Sequence, residues 1–117
     1  MYVDGFVLAL NKNSLDAYKA MLPEMVTFFK AQGATQYVEC VGDDVPFGKL
    51  TSFPRAVMAT DWANLPAIVW ICYPSKEIRD AANQKMMSNP DMEKLMEGIE
   101  MDGKRMIFGG FTPISGL

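Results

Sequence analysis

The chain has 117 residues, half of them apolar, and a formal net charge of −3. This size and composition fit a single folded domain over 1–117, and the acidic balance without a clustered Lys/Arg face argues against nucleic-acid binding. The sequence contains no histidine, which excludes Ser-His and Cys-His nucleophiles, haem held by histidine and zinc sites built from imidazole.

The chain begins with a predicted strand over residues 2–10, in which both alternating faces are mainly apolar. A helix follows, because apolar residues then recur at helical spacing, and Asn13 or Ser14 is its expected cap. Pro23 lies inside this helical pattern and should kink the helix or split it. Gly33 is a typical C-terminal stop.

The middle of the chain contains two predicted strands separated by a long connection. Residues 36–41 form the second strand, and the continuous apolar run 67–73 forms the third. That run is far shorter than the ~20 residues of a membrane helix, so we expect no membrane segment. A connection as long as 42–66 is uncommon in a compact domain and is usually functional or contains further structure, for which 53–58 is a candidate short strand.

The last part of the chain reads as two helices and a strand. Ser75 caps the first of these helices, and Asn89 caps a shorter one with Pro90 at its first position. A turn at 102–103 leads to a last strand over 105–114. The resulting order is that of a ferredoxin-like split βαβ fold, an α+β class with an antiparallel sheet. Because both main helices would cover one face, the apolar opposite face predicts pairing with a second copy, a homodimer.

Several collinear segments resemble one family of small bacterial proteins. These segments are 2–6, 39–46, 51–57, 73–75, 102–107 and 109–111. The resemblance is to the YbaA-like family, within the dimeric α+β barrel superfamily, and it covers nearly the whole chain. It implies ferredoxin-like subunits that pair sheet to sheet. It implies no activity, since the superfamily includes cofactor-independent oxygenases, isomerases, haem enzymes and ligand-binding proteins.

Two carboxylates are candidate catalytic residues. Asp4 lies in an otherwise apolar strand, where desolvation would raise its pKa toward the range of a general base. The alternative, which we favour, is a structural ion pair with Lys104 or Arg105 on the neighbouring last strand. Glu39 is the second candidate. Together with Asp43 and Asp44, Glu39 could supply oxygens to a hard cation, but no EF-hand spacing is present, so we expect no metal. We also expect no bound cofactor.

Two arginines are candidate ligand-binding residues. Arg55 lies in the long connection, Arg105 opens the last strand after a glycine turn, and neither has an acidic partner at i±4 helical spacing. A guanidinium presents a fixed set of donors to carboxylate or phosphate, so we expect a small anionic ligand. On the second helix Arg79 and Asn83 lie one turn apart, and we interpret them as part of a solvated face; the alternative is a pocket mouth, because the helix begins at a strand edge.

The sulfur-containing residues have mainly structural interpretations. Cys40 and Cys72 fall on predicted neighbouring strands, and we interpret both as reduced core residues, because no export signal is visible and a cytoplasmic location is expected. Six of the ten methionines follow residue 84. They predict core packing or, alternatively, an adaptable apolar pocket wall.

Two functional hypotheses remain. The first is a small-molecule enzyme of oxygenase or isomerase type without a bound cofactor, with its pocket between the sheet and the helices or the long connection. There Arg55 or Arg105 would orient an acidic or aromatic substrate, and Asp4 or Glu39 would move a proton. The second is a non-catalytic dimeric protein that binds a small ligand, or acts in a stress response, through the same pocket. Convergent buried polar groups in a closed cavity would favour the first, whereas a filled cavity with polar groups only at its rim would favour the second.

Overall fold

A four-stranded sheet forms the centre of the protein in the computed structural model, which describes residues 1–59, 64–100 and 102–116. The strands are β1 Tyr2–Asn11, β2 Gln36–Val41, β3 Asn64–Tyr73 and β4 Ile107–Phe111. Their order is β2-β3-β1-β4, and every neighbouring pair is antiparallel. This is the predicted ferredoxin-like arrangement, with the first strand between the third and the last.

The boundaries of three strands differ from the predicted ones. β1 and β3 are both longer than expected, because their pairing continues to Asn11 opposite Asn64. The last strand is shorter than 105–114. Gly103–Arg105 forms a 3-10 turn ahead of it, and beyond its end Pro113 has no N–H to donate to a ladder.

Four α-helices accompany the sheet in the described ranges of the chain. They are α1 Leu15–Ala31, α2 Phe53–Ala56, α3 Lys76–Met87 and α4 Pro90–Leu95. α1 runs through Pro23 without a break, so the predicted split into two helices is wrong. Pro23 and Lys19 are both exposed, and water can therefore bond the Lys19 carbonyl that the proline leaves without its helical donor. Gly33, at φ +108°, follows the end of α1 as predicted.

The caps of the later helices are confirmed. The Ser75 side chain accepts from the amide of the residue three further on, and the Asn89 side chain from the amide two further on. Ser14 precedes α1 but does not cap it. Its hydroxyl accepts instead from the Glu100 amide at 2.9 Å, and so ties the start of α1 to the segment after α4.

The segment 53–58 was a candidate strand, and that prediction is wrong, since residues 53–56 form α2. The Ser52 side chain accepts from the amide three residues on, and Pro54 lies in the first turn. Both features are typical of a helix start. Just after α2, the fully buried Val57 packs with Ala9 of β1.

The two faces of the sheet have different surroundings, since alternate residues of a strand point to opposite sides. Helices α1 and α3 cover one face, where the core residues include Leu8, Leu10, Val69 and Ile71. We call the opposite side the open face. Its half-buried or exposed apolar residues are Val3, Val7, Val38, Ile68, Trp70, Ile107 and Phe111. Among the helices of the described ranges, none is both long and apolar enough to cross a membrane.

Candidate functional site

A cavity of about 350 Å³ lies between the sheet and the helices; we call it the sheet–helix cavity. Most of its wall is apolar. The apolar lining residues are Phe6, Leu8, Met21, Met25, Phe29, Val69, Ile71, Met86, Met87, Met96, Met106 and Phe108. The polar ones are Tyr18, Tyr37, Glu39 and Asn83. A mostly apolar cavity with a few convergent polar groups is typical of a small-molecule site.

The Glu39 carboxyl is the centre of the polar cluster. The Tyr18 hydroxyl donates to Glu39 Oε1, and the Tyr37 hydroxyl lies 3.4 Å from Oε2. Desolvation raises the pKa of Glu39, and the two hydroxyl contacts lower it by less, so the pKa lies above its ordinary value. A carboxylate with a raised pKa is better matched to proton transfer near neutral pH.

The two tyrosines remain hydroxyl donors. Burial and the adjacent Glu39 carboxylate both raise the pKa of Tyr18 and of Tyr37. Neither residue is predicted as a functional group from the sequence, and Tyr18 in particular fits the apolar face of α1. The one local signal was the i, i+2 spacing of Tyr37 and Glu39 in β2, which places the two side chains on the same face of the sheet.

Asp4 is held by α3. Its carboxylate is buried and accepts from Arg79 Nη1 at 3.0 Å and from Asn83 Nδ2 at 3.2 Å. Arg79 also donates to the Tyr2 hydroxyl at 3.1 Å. The predicted pairing of Asp4 with 104–105 is therefore wrong, and the interpretation of Arg79 and Asn83 as a solvated face is wrong with it.

The reason lies in the register of β1 and β4. Asp4 is opposite Gly110, whereas Arg105 precedes β4, whose first residue Ile107 is opposite Val7. Arg105 therefore lies near the part of β1 beyond Val7, away from Asp4. Desolvation raises the pKa of Asp4, while the Asn83 hydrogen bond and the Arg79 charge lower it by less.

The candidate arginines lie outside the sheet–helix cavity. Arg55 donates to the carbonyls of residues 47 and 48, at 2.8 and 3.2 Å. Arg105 pairs with Asp102 at 3.3 Å and donates to the Met58 carbonyl at 3.2 Å. Both guanidiniums are thus occupied within the chain, although by partners that i±4 helical spacing does not reveal.

A second cavity, of about 410 Å³, lies on the open face beside the start of the long connection. Cys40 lines it and is exposed, so its assignment to the core is wrong for the single chain, whereas Cys72 is buried as expected. Cys40 is opposite Ile68 in the register of β2 and β3. Four residues of strand, about 13 Å, separate the two thiols along the sheet, so they are not close.

The acidic residues do not converge. Within the described parts of the chain, no group of three or more Asp, Glu or Cys side chains could hold a metal ion. Asp43 and Asp44 are exposed in the connection after β2. Glu39 contacts the two tyrosines of the sheet–helix cavity, because its position in β2 turns it toward α1.

The methionine-rich C-terminal half contributes to the wall of the cavity. Met86, Met87, Met96 and Met106 all line it, which agrees with the pocket-wall interpretation. Met92 belongs to the core, as core packing predicted, and Met101 lies outside the described residues.

The strand order and the helix-covered cavity define a class, the ferredoxin-like α+β proteins. Among solved structures the chain is similar to a dimeric ferredoxin-like protein from an uncultured marine organism, with a TM-score of 0.66 and 10% identity, over 100% of this chain and 98% of that one. It is also similar to the N63A mutant of SnoaB, a cofactor-independent oxygenase from Streptomyces nogalater, with a TM-score of 0.61 and 11% identity. That match covers 99% of this chain and 96% of the SnoaB chain. At these identities the likeness shows the fold alone.

The chain belongs to DUF1428, a family of proteins of unknown function, whose family model matches residues 1–103. It is 51% identical over 113 residues to the uncharacterized protein YbaA of Escherichia coli strain K12, covering 97% of this chain and 96% of that protein. The YbaA of Shigella flexneri matches over the same shares and at the same identity. The family resemblance drawn from the sequence motifs is thereby confirmed.

Proposed function

We propose that the chain is a small-molecule enzyme that works without a bound cofactor, and that Glu39 removes a proton from the substrate in the sheet–helix cavity. One observation carries this proposal. A carboxyl with a raised pKa lies in an apolar cavity between two tyrosine hydroxyls. Such an environment favours proton transfer, because burial shifts the pKa of the base upward, toward neutral pH.

The contacts of Glu39 suggest how the step proceeds. Tyr18 occupies Oε1, whereas Oε2 has only the long contact from Tyr37, so Oε2 is the atom that accepts the proton. Ionised Glu39 takes the proton from a carbon beside a carbonyl, and the electron pair moves onto the carbonyl oxygen to give an enolate. The Tyr37 hydroxyl, only weakly engaged with the carboxylate, turns to donate to that oxygen.

The enolate has two possible fates, and both begin with the same proton transfer. In an isomerase the proton returns from Glu39 to a different carbon. In an oxygenase the enolate carbon passes electrons to dioxygen and bonds to it, the peroxide anion takes the proton back from Glu39, and the resulting hydroperoxide loses water. The net change is CH₂ + O₂ → C=O + H₂O. The fold-level likeness to a cofactor-independent oxygenase favours the second fate.

The other sequence candidates have supporting roles in this proposal. Asp4 is a positioning residue, since its bond to Asn83 fixes a side chain that lines the cavity. Arg55 and Arg105 hold the connections around the sheet through backbone carbonyls and are not assigned to the substrate.

We also propose that two copies pair through the open face. Its exposed apolar residues include Ile107, 46% exposed, and Phe111, 60% exposed. A contiguous apolar surface of this kind is typical of an interface, and a second sheet would cover it symmetrically. The similar protein from the marine organism is described as dimeric.

Solvent exchange of an acidic C–H proton tests the enzyme proposal. Three neutral aromatic ketones, 2-indanone, 2-tetralone and phenylacetone, are incubated with protein in D₂O, and loss of the C–H signal is followed by NMR. Wild type should accelerate exchange of at least one ketone, and Glu39→Gln should reduce this acceleration by about 10²–10⁴-fold. The matched control is Glu24→Gln, which removes an exposed carboxylate of α1 and should leave the rate unchanged.

Two outcomes would overturn the proposal. The first is acceleration that survives in Glu39→Gln. The second is the absence of acceleration for every ketone, which would favour the non-catalytic ligand-binding alternative.

A further inference from the structure

We infer that the sheet–helix cavity takes an uncharged, mainly aromatic molecule with a single enolisable keto or phenolic hydroxyl group, rather than a small anion. The inference deepens the proposed function, because it concerns the same site. It depends on the lining of the cavity, and therefore can be tested by binding alone.

The charge of the lining excludes an anion. None of the described residues that line the cavity is a lysine or arginine, and the positions outside the described ranges contain neither. Among the lining residues that the structure describes, the one carboxylate is Glu39. Behind the wall, Arg79 is occupied by Asp4, Asp80 and Tyr2. A bound carboxylate or phosphate would face a like charge in an apolar site without a cation to balance it.

The apolar wall favours an aromatic ring. Six of the methionines that the structure describes line the cavity, and thioethers make favourable contacts with aromatic rings while adapting to their shape. Phe6 and Phe108 add a stacked aromatic pair, with ring centroids 6.5 Å apart and planes inclined by 29°. A planar ring can pack against either surface.

The mouth of the cavity is also apolar. Met87 at the end of α3 is 85% exposed, Phe108 of β4 is 72% exposed, and both line the cavity. Exposed apolar residues at an opening are typical of a ligand-binding groove, and these would contact an incoming uncharged molecule without a desolvation penalty for ionic groups.

The polar groups fix the number and kind of polar atoms in the ligand. Tyr18 and Tyr37 both contact the Glu39 carboxyl, so three of the four polar lining residues form a single cluster. The ligand therefore needs one oxygen at this end. An ionised carboxylate only accepts hydrogen bonds, and its weakly engaged Oε2 is suited to an O–H donor, such as an enol or a phenol.

Three probes that share one ring system test the inference: 2-naphthol, naphthalene and 2-naphthoate. 2-Naphthol is a stable mimic of the enol of 2-tetralone and is uncharged at pH 7, whereas 2-naphthoate is an anion. Affinity is measured by calorimetry, and the site is located by NMR of protein labelled with ¹³C in its methionine methyls. We expect 2-naphthol to bind about tenfold or more tightly than naphthalene or 2-naphthoate, because only 2-naphthol can donate a hydrogen bond to the charged Glu39 carboxylate.

The methyl spectrum separates cavity binding from surface binding. We expect 2-naphthol to shift the methyls of Met21, Met25, Met86 and Met96, which line the cavity, and not that of Met58, which is exposed outside it. A shift of Met58 alone, no shift of any cavity methyl, or 2-naphthoate binding in the cavity as tightly as 2-naphthol would overturn the inference.

Variants identify the charge that discriminates. In Glu39→Gln the preference for 2-naphthol over 2-naphthoate should fall at least about threefold relative to wild type, because the like charge is gone although the apolar wall still disfavours an anion, while Glu24→Gln should keep the full preference. Tyr37→Phe keeps the Glu39 charge and should therefore also keep the preference for 2-naphthol. This variant provides a second test if Glu39→Gln does not fold. A preference unchanged in Glu39→Gln, or lost in Tyr37→Phe, would contradict the assignment.

The outcomes of the two experiments are separable. If 2-naphthol binds in the cavity as expected but no ketone exchanges its proton, the ligand class stands and the enzyme proposal fails. If ketones exchange but the cavity prefers 2-naphthoate, the enzyme proposal stands and the ligand class fails.

Discussion

Replacing Arg79 with methionine should destabilise the protein strongly, because it would leave the Asp4 carboxylate buried without its cation. The Asp4 side chain is 3% exposed and that of Arg79 17% exposed, with 3.0 Å between Asp4 Oδ1 and Arg79 Nη1. Breaking a buried pair from one side costs about 3–5 kcal/mol, and the partial exposure of Arg79 places this case near 3 kcal/mol. Methionine preserves much of the apolar stem, so the lost charge dominates the effect.

Thermal and urea unfolding measure this change. With an unfolding entropy of about 2.1 cal/mol/K per residue and 117 residues, 3 kcal/mol corresponds to a fall in Tm of about 12 °C. Lys76→Met is the control on the same helix. It removes an exposed pair with Asp80, in which the two side chains are 57% and 52% exposed, and should cost at most about 1 kcal/mol. If Arg79→Met costs no more than Lys76→Met, the structural role of Asp4 is refuted and Asp4 returns as a candidate base.

Three other predictions concern assembly, pH and thiols. Light scattering at micromolar concentration should give twice the 13.0 kDa chain mass, and a wild-type monomer would contradict the dimer. Phe111→Asp should give a monomer, because it places a charge on the open face. Burial raises the pKa of Glu39 in the folded state above its ordinary value of 4.5. As pH rises from 4.5 through the folded-state pKa, Glu39 therefore lowers the free energy of unfolding by an increasing amount. The stability of Glu39→Gln relative to wild type should therefore increase across that window, and a constant difference would be evidence against burial of the charge. Cys40 and Cys72 should both react as free thiols after unfolding without oxidant; finding no reactive thiol would reverse this expectation.

The secondary structure was largely predictable, because its signals are local. Short apolar runs and helical spacing identified the four strands and the long helices, and Gly33, Ser75 and Asn89 marked helix ends through interactions within a few residues. The segment 53–58 was misread because its apolar content fits a short strand as well as a helix. Ser52 was the local signal that distinguished them.

The side-chain partners were less predictable, because they depend on how helices dock on the sheet. Asp4 and Arg79 are 75 residues apart, and the sequence placed Arg79 on a helix face without showing which strand that face covers. The same holds for Tyr18 and Glu39, which meet only because α1 packs across β2. Arg55 is occupied by backbone carbonyls, which no residue pattern reveals.

The titration of Glu39 tests most directly whether the cavity holds a base suited to proton transfer. The ¹³C resonance of its side-chain carboxyl, assigned by its absence in Glu39→Gln, is followed from pH 3 to pH 9 in the folded protein. We predict a midpoint above the ordinary value of 4.5, because desolvation in the cavity outweighs the two tyrosine contacts. A midpoint at or below 4.5 would mean that the carboxylate is well solvated or fully paired, and would contradict its role as the proton acceptor.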